Sequence, residues 1–116
     1  MSPVITEHAR ARLVTDARDL PVVHVELRYD PADDSHTVHI AFPGGPVWVV
    51  ARDLLERGLR APVEHDSLRI WPCGRAQLVL ERHTADGLEV VQFDSAPLIR
   101  FLRRTHRRAR TETAPA

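Results

Sequence analysis

The sequence predicts an α+β fold that consists mainly of antiparallel β-strands, about seven of them, with a short helix after the fourth strand and a second helix near the C-terminus. Three observations predict this fold class. Apolar and polar residues alternate with a period of two over most of the chain, as they do in strands with one buried face. Clusters of Pro, Gly and Asp divide the alternating segments. Apolar residues at helical spacing follow in residues 98–105.

The first three strands are predicted from this alternation and from one turn. Residues 9–14 and residues 22–29 each place apolar side chains at every second position. The next segment, Asp-Pro-Ala-Asp, predicts a turn, because proline presets φ and both Asp30 and Asp33 can accept hydrogen bonds from nearby backbone amides. The turn therefore predicts a hairpin, in which residues 38–42 form a strand that pairs with residues 22–29.

The fourth strand and the first helix are predicted from apolar residues and end signals. Residues 47–50 are continuously apolar, which predicts a strand buried on both faces. Trp48 within it is expected in the core or at a subunit seam. Asp53 is predicted to cap the following helix, with Glu56 completing a capping box. Gly58 is predicted to end the helix in a left-handed conformation.

The second half of the chain predicts three more strands and a closing helix. The strands are placed at residues 67–71, 75–83 and 88–93, and an Ala-Asp-Gly turn joins the last two. The helix is expected to open at Asp94 or Ser95. Its apolar stripe, at positions i, i+3, i+4 and i+7, consists of Leu98, Phe101, Leu102 and Thr105.

The composition predicts a single small domain in a reducing compartment. The length of 116 residues suits one domain, which we place at residues 1–105, with a basic, disordered tail at residues 106–116. A single cysteine excludes an internal disulfide, and the N-terminal residues lack the apolar core of a secretory signal. The longest apolar run is too short for a transmembrane helix. We therefore expect a cytoplasmic protein without a transmembrane segment.

No residue pattern predicts catalysis, a cofactor or a metal site. His36 and His39 lie three positions apart near a predicted strand, where a period of two sends them to opposite faces. Cys73 has no neighbouring base, and its small side chain suits the end of a strand. The sequence contains neither a glycine-rich phosphate loop nor a serine elbow. We therefore expect a protein that is not an enzyme and holds no cofactor.

Arginine is concentrated near the C-terminus. Residues 1–99 carry 10 Arg and 15 acidic residues, whereas residues 100–116 carry 6 Arg and one acidic residue. Guanidinium groups bind phosphates and carboxylates bidentately, so the cluster is a candidate partner-binding site. A solvent-exposed helix end whose dipole favours cations explains the cluster equally well, and both interpretations stay open. The candidate partner-binding residues are Arg100, Arg103, Arg104, Arg107 and Arg108.

Three blocks of the sequence, at residues 27–33, 47–59 and 68–73, resemble the SsgA-like sporulation and cell-division proteins of actinobacteria in order and spacing. The resemblance extends over about residues 12–105. The chain departs from the family at residues 106–110, which replace a Pro-Pro-Gly stretch. The family-motif residues, to which we assign structural roles, are Arg28, Tyr29, Asp30, Pro31, Trp48, Arg52, Asp53, Leu54, Gly58, Trp71 and Pro72.

Arg52 and Asp53 are adjacent in the second block and invite interpretation as a functional ion pair. Adjacent helix residues do not face each other, however. A helix cap at Asp53 and a solvated Arg52 therefore explain the pair without a functional role.

The resemblance implies a whirly-like antiparallel domain that assembles as a homotrimer and has no enzymatic activity. It also implies a role in placing and building the division septum during sporulation, with the protein located at septa. The expected partner is a division-machinery protein, either the tubulin-like GTPase FtsZ or a septal membrane protein. The alternative is a single-stranded nucleic-acid binder that uses the C-terminal arginine cluster, although few aromatic residues lie outside the predicted core.

Overall fold

The structure of the protein is a computed structural model that describes residues 4–14 and 21–113, with side chains described as far as residue 107. It confirms a mainly antiparallel fold with two helices, and the described ranges contain eight strands rather than seven. The additional strand has only three residues, too few for alternation to reveal it. In chain order the elements are β1 (Ile5–Leu13), β2 (Val22–Tyr29), β3 (Thr37–Ala41), β4 (Val47–Ala51), α1 (Arg52–Gly58), β5 (Val63–His65), β6 (Leu68–Cys73), β7 (Gln77–Thr84), β8 (Gly87–Asp94) and α2 (Ser95–Thr113).

The strands form one antiparallel sheet in the order β4-β3-β2-β1-β8-β7-β6-β5. The strands β1 to β4 form one half of the sheet and β5 to β8 form the other. The pairing of β1 with β8 joins the two halves, and Ala11 lies opposite Phe93 there. The sheet curls on itself, because the Arg82 guanidinium of β7 lies 4.4 Å from the centre of the Trp48 ring of β4. Helix α1 contacts β4, β5 and β6, and so bridges the two ends of the curled sheet.

The hydrophobic core lies between the inner face of the sheet and the two helices. Helix α2 packs mainly against β1 and also contacts β2, β7 and β8. Its predicted stripe is confirmed, because Leu98, Phe101, Leu102 and Thr105 are all buried. The Thr105 hydroxyl donates a hydrogen bond of 2.6 Å to the Leu102 carbonyl, which satisfies the one polar group of the stripe.

Strand β4 differs from its prediction. Trp48 and Val50 are buried, but Val47 is 51% exposed and Val49 is 59% exposed. The expectation of burial on both faces is therefore wrong. In the described residues β4 pairs only with β3, so it is an edge strand with one apolar row directed outward.

The start of α1 also differs from its prediction. Ala51, not Asp53, occupies the cap position, and no side chain caps the helix. The Arg52 amide donates to the His36 carbonyl at 2.8 Å, so the neighbouring hairpin supplies an acceptor for the first amide of the helix. Asp53 lies in the first turn, where its carboxylate favours the helix dipole and is 3.6 Å from Arg57. The predicted capping box with Glu56 is therefore wrong.

Gly58 does not adopt the predicted left-handed conformation. It is the last helical residue of α1, and the described glycines with positive φ are Gly44, Gly74 and Gly87. Close packing explains the glycine instead, since a Cβ at this position would lie 2.3 Å from the Ile70 Cγ2 atom.

The turn between β2 and β3 follows its prediction with one change. The Asp30 carboxylate accepts a hydrogen bond of 3.1 Å from the Ala32 amide, and the Asp30 carbonyl accepts from the Asp33 amide. The second side-chain bond comes from Asp34, which accepts from the His36 amide at 2.8 Å. The assignment of that bond to Asp33 is therefore wrong, because the turn directs the next aspartate toward the amide.

Helix α2 continues past the boundary that we placed at residue 105. Its backbone is helical to Thr113, so the first part of the predicted tail belongs to the helix. The side chain of Arg108 and residues 114–116 lie outside the described part of the chain.

Candidate functional site

The arginines of α2 line an open groove of about 960 Å³ between α2 and the end of α1. We call it the helix groove, and its basic lining residues are Arg60, Arg100, Arg103, Arg104, His106 and Arg107. The structure thus brings together four of the five predicted partner-binding arginines. The fifth, Arg108, has no described side chain.

The helical period explains why the arginines of α2 share one surface. Arg100, Arg103, Arg104 and Arg107 follow the spacing i, i+3, i+4 and i+7. This arginine row is offset by two residues from the buried apolar stripe, so it lies on roughly the opposite side of the helix. Burial of the stripe therefore holds the arginine row at the surface.

Arg60 is the groove residue that sequence reasoning missed. It follows α1 in the chain and lies 40 positions before Arg100, so no local pattern connects the two. A turn after α1 positions it, since the Arg60 amide donates to the Arg57 carbonyl at 3.1 Å. Only the packing of α1 and α2 on one sheet places Arg60 opposite the arginine row.

The arginines of the groove have different local roles. Arg104 donates a hydrogen bond of 2.8 Å to the Thr6 carbonyl and lies 3.3 Å from the Glu7 carboxylate. It therefore connects α2 to β1 and contributes to the fold. Among the described residues, the guanidinium groups of Arg60, Arg100 and Arg103 make neither a hydrogen bond nor an ion pair, and all three residues are exposed. These guanidinium groups are available to an anionic partner.

A second polar contact connects the two helices across the groove. His106 Nε2 of α2 forms a hydrogen bond with the Glu56 carboxylate of α1. The same carboxylate lies 3.9 Å from the Arg52 Nε atom. Glu56 is thus occupied by side chains of this chain, and it forms part of the wall between the helices.

Arg52 has a structural role that differs from its prediction. Its guanidinium donates a hydrogen bond of 3.2 Å to the Tyr29 hydroxyl and lies 5.3 Å from the centre of the Tyr29 ring. The Tyr29 hydroxyl in turn donates to the Ser35 carbonyl at 3.1 Å. The expectation of a solvated Arg52 is therefore wrong, since the side chain is only 18% exposed and connects α1 to the β2–β3 hairpin.

The other family-motif residues lie outside the groove. Trp48 is in the core, where its indole nitrogen has no hydrogen-bond partner among the described residues. Leu54 is buried in α1, whereas Arg28 is exposed on β2. Trp71 is half-buried on β6, with the Arg69 guanidinium 5.5 Å from its ring centre. The structural roles that we assigned to these residues stay a prediction.

Three further features bear on chemistry. Within the described ranges, no three His, Cys, Asp or Glu side chains are arranged to hold a metal ion. Cys73 is exposed at the end of β6, as predicted. Neither described helix has the length and apolar character needed to cross a membrane.

The sequence matches a family model described as the Streptomyces sporulation and cell division protein SsgA over residues 23–113. Among relatives, the sporulation-specific cell division protein SsgB of Kineococcus radiotolerans is 38% identical over 98 residues, which cover 78% of this chain and 58% of that protein. The chain thus matches less than two thirds of that relative's length. SsgB of Salinispora tropica is 39% identical over 105 residues, which cover 82% of this chain and 72% of that protein.

Two solved structures share the fold. One is the SsgB structure from a study relating its mutations to longitudinal cell division during sporulation of Streptomyces coelicolor, with a TM-score of 0.81 and 30% identity over 90% of this chain and 86% of that one. The other is an SsgA-like sporulation-specific cell division protein from Thermobifida fusca, with a TM-score of 0.82 and 26% identity over 91% of this chain and 82% of that one. Both agree with the resemblance carried by the three sequence blocks. The chain therefore belongs to the SsgA-like family of sporulation and cell-division proteins.

Proposed function

We propose that this protein is a non-enzymatic adaptor that acts in septum-site placement and septation during sporulation. The observation that carries the proposal is the match to SsgB, which combines 30% identity with a TM-score of 0.81 over 90% of the chain. That protein is named for sporulation-specific cell division. The groove adds support, because its exposed arginines offer binding groups rather than a catalytic arrangement.

The proposed partner is a division-machinery protein, either FtsZ or a septal membrane protein. The surface proposed to bind it is the helix groove together with Arg108. The support is electrostatic, since Arg60, Arg100 and Arg103 carry charges that no described residue neutralises. A cationic surface accelerates encounter with acidic proteins and favours them over basic ones.

The protein is further proposed to assemble as a homotrimer. The exposed apolar row of β4 supports this proposal, because Val47 and Val49 are more than half exposed in the single chain. A free strand edge with an exposed apolar row is a site where another chain can pair or pack. Covering of this row by another chain would account for a segment that reads in sequence as buried on both faces.

A fluorescent fusion expressed at native level in the natural host tests the adaptor proposal. We expect foci or ladders at septa when spores form, and loss of the septal signal when Arg60, Arg100 and Arg103 are all changed to glutamate. A fusion carrying Arg75→Glu, an exposed charge in the turn between β6 and β7 outside the groove, is the control and should keep the septal signal. Even distribution of the unmodified fusion through dividing cells would contradict the proposal.

The second candidate function is single-stranded nucleic-acid binding. The observation that favours it is the arginine row of α2, since basic surfaces bind phosphate backbones. The prediction is salt-dependent binding of a labelled oligothymidine, with affinity that falls steeply between 50 and 200 mM salt. A fluorescence anisotropy titration decides it, and signal over the nucleoid in the imaging experiment would favour this function over the adaptor.

A further inference from the structure

We infer that the helix groove binds an acidic peptide segment that carries at least one large apolar side chain. This inference rests on the proposed function only in giving the groove a protein partner. Its content is the chemistry of that partner, which follows from the two walls of the groove, from its floor and from the placement of its carboxylates.

The two walls offer guanidinium groups that face the same space. Arg60 comes from the connection after α1, whereas Arg100 and Arg103 come from α2, and all three line the groove. None makes an ion pair with another side chain in the part of the chain that the structure describes. An acidic peptide between the walls can therefore pair its carboxylates bidentately with both sides.

The floor between the walls is apolar. Leu59, at the end of α1, and Ile99, in the first turns of α2, are partly exposed in the groove, and the buried Leu102 lies beside them. Partly exposed apolar side chains surrounded by cations form a site where an apolar side chain can anchor while its charged neighbours contact the rim. The volume of about 960 Å³ is near the upper end of the range for ligand clefts.

The lining also favours a peptide over a nucleic acid. Glu7 and Glu56 belong to the lining, and each contacts a basic side chain of this chain. No Phe, Tyr or Trp side chain lines the described groove, so it lacks the stacking platform that single-stranded nucleic acids use. Both carboxylates are already engaged by Arg104 and His106, which leaves Arg60, Arg100 and Arg103 for the partner.

The test is a fluorescence anisotropy titration of the purified protein with a labelled probe peptide of eight Asp and Glu residues around two central leucines. The comparison probes replace both leucines with glycine, replace every acid with lysine, or substitute an oligothymidine of equal charge. We expect the acidic leucine peptide to bind most tightly and the glycine version several-fold more weakly. Tighter binding of the oligothymidine, or equal binding of both acidic peptides, would overturn the inference.

Protein variants assign the binding to the groove. Arg60→Glu should weaken the acidic leucine peptide about tenfold, because it reverses a charge on the wall that α2 does not supply. Arg75→Glu makes the same charge change on an exposed site outside the groove and is the matched control. Both positions are exposed, and equal thermal midpoints would confirm that the variants are folded. Unchanged binding by Arg60→Glu would show that α2 alone attracts the peptide, and the inference would fail.

The outcome is distinguishable from that of the proposed function. Peptide binding with purified components does not depend on septal location, and septal location does not depend on the probe. Binding without septal signal would retain the groove assignment and remove the division role. Septal signal without peptide binding would retain the division role and remove the groove assignment.

Discussion

Gly58 of α1 and Ile70 of β6 pack so closely that the glycine has no room for a side chain. A Cβ on Gly58 would lie 2.3 Å from Ile70 Cγ2 and 2.8 Å from Ile70 Cβ. Ile70 is fully buried, and its Cβ cannot move aside without shifting β6. The contact fixes the distance between the short helix and the second half of the sheet, and so it also positions Arg60 two residues later.

Replacing Gly58 with alanine should therefore destabilise the protein. Overpacking of a core contact costs about 1–3 kcal/mol, and at the end of a helix the higher helix propensity of alanine recovers at most about 1 kcal/mol of it. We expect a lower midpoint in urea denaturation followed by circular dichroism. Gly45→Ala is the matched control, because its Cβ would make an ordinary contact of 3.5 Å with Phe42 and its φ is not positive. Equal stability of Gly58→Ala and the parent would show that β6 adjusts.

Much of the fold could be predicted because its information is local. The alternation in residues 22–29 and the aspartate and proline of the following turn identify β2 and its hairpin, and the structure confirms both. The stripe of α2 was predictable for the same reason, since Phe101 and Leu102 mark the buried side by spacing alone.

The remainder depends on contacts between distant parts of the chain. The position of β4 at an edge depends on the order of the strands in the sheet. The apolar character of Val47 and Val49 does not indicate that order. The first amide of α1 donates to the His36 carbonyl of another element, and no side chain caps the helix, so Asp53 did not identify the cap position. Arg60 joins the groove through the packing of two helices far apart in sequence, which explains why only the α2 half of the candidate site was predictable.

Alanine substitutions at Arg104 and Arg103 should affect stability differently, because we assign Arg104 a structural role and Arg103 a binding role. Arg104→Ala removes the hydrogen bond to the Thr6 carbonyl and the contact with Glu7, and we expect a loss of about 0.5–1 kcal/mol because the site is partly exposed. Arg103→Ala removes a side chain without a described partner and should change the free energy of unfolding by less than about 0.5 kcal/mol. Chemical denaturation of both variants decides the point, and a larger effect at Arg103 would contradict the assignment.

Phe101 should be among the most costly positions in α2 to truncate. Its side chain is fully buried between the helix and the sheet, so Phe101→Ala should lower the free energy of unfolding by about 3–5 kcal/mol. Thermal and urea unfolding measure the loss directly. Arg100→Ala, one residue earlier on the exposed side of the same helix, is the control and should remain close to the parent. A small loss at Phe101 would mean that α2 does not pack on the sheet as described.

Val49 should control assembly without controlling folding. Its side chain is 59% exposed on edge strand β4, so Val49→Arg places a charge on the surface of the single chain and disturbs no buried contact. If the apolar row of β4 is covered in a trimer, the same charge is buried at the interface without a partner and the assembly should dissociate. Light scattering coupled to size-exclusion chromatography should report a trimer for the parent and a monomer with native circular dichroism for the variant. Val22→Arg, an exposed valine on β2 at 40% exposure, is the matched control and should keep the parent mass. A trimer that survives Val49→Arg would place the interface elsewhere, and a monomeric parent would remove the proposed trimer altogether.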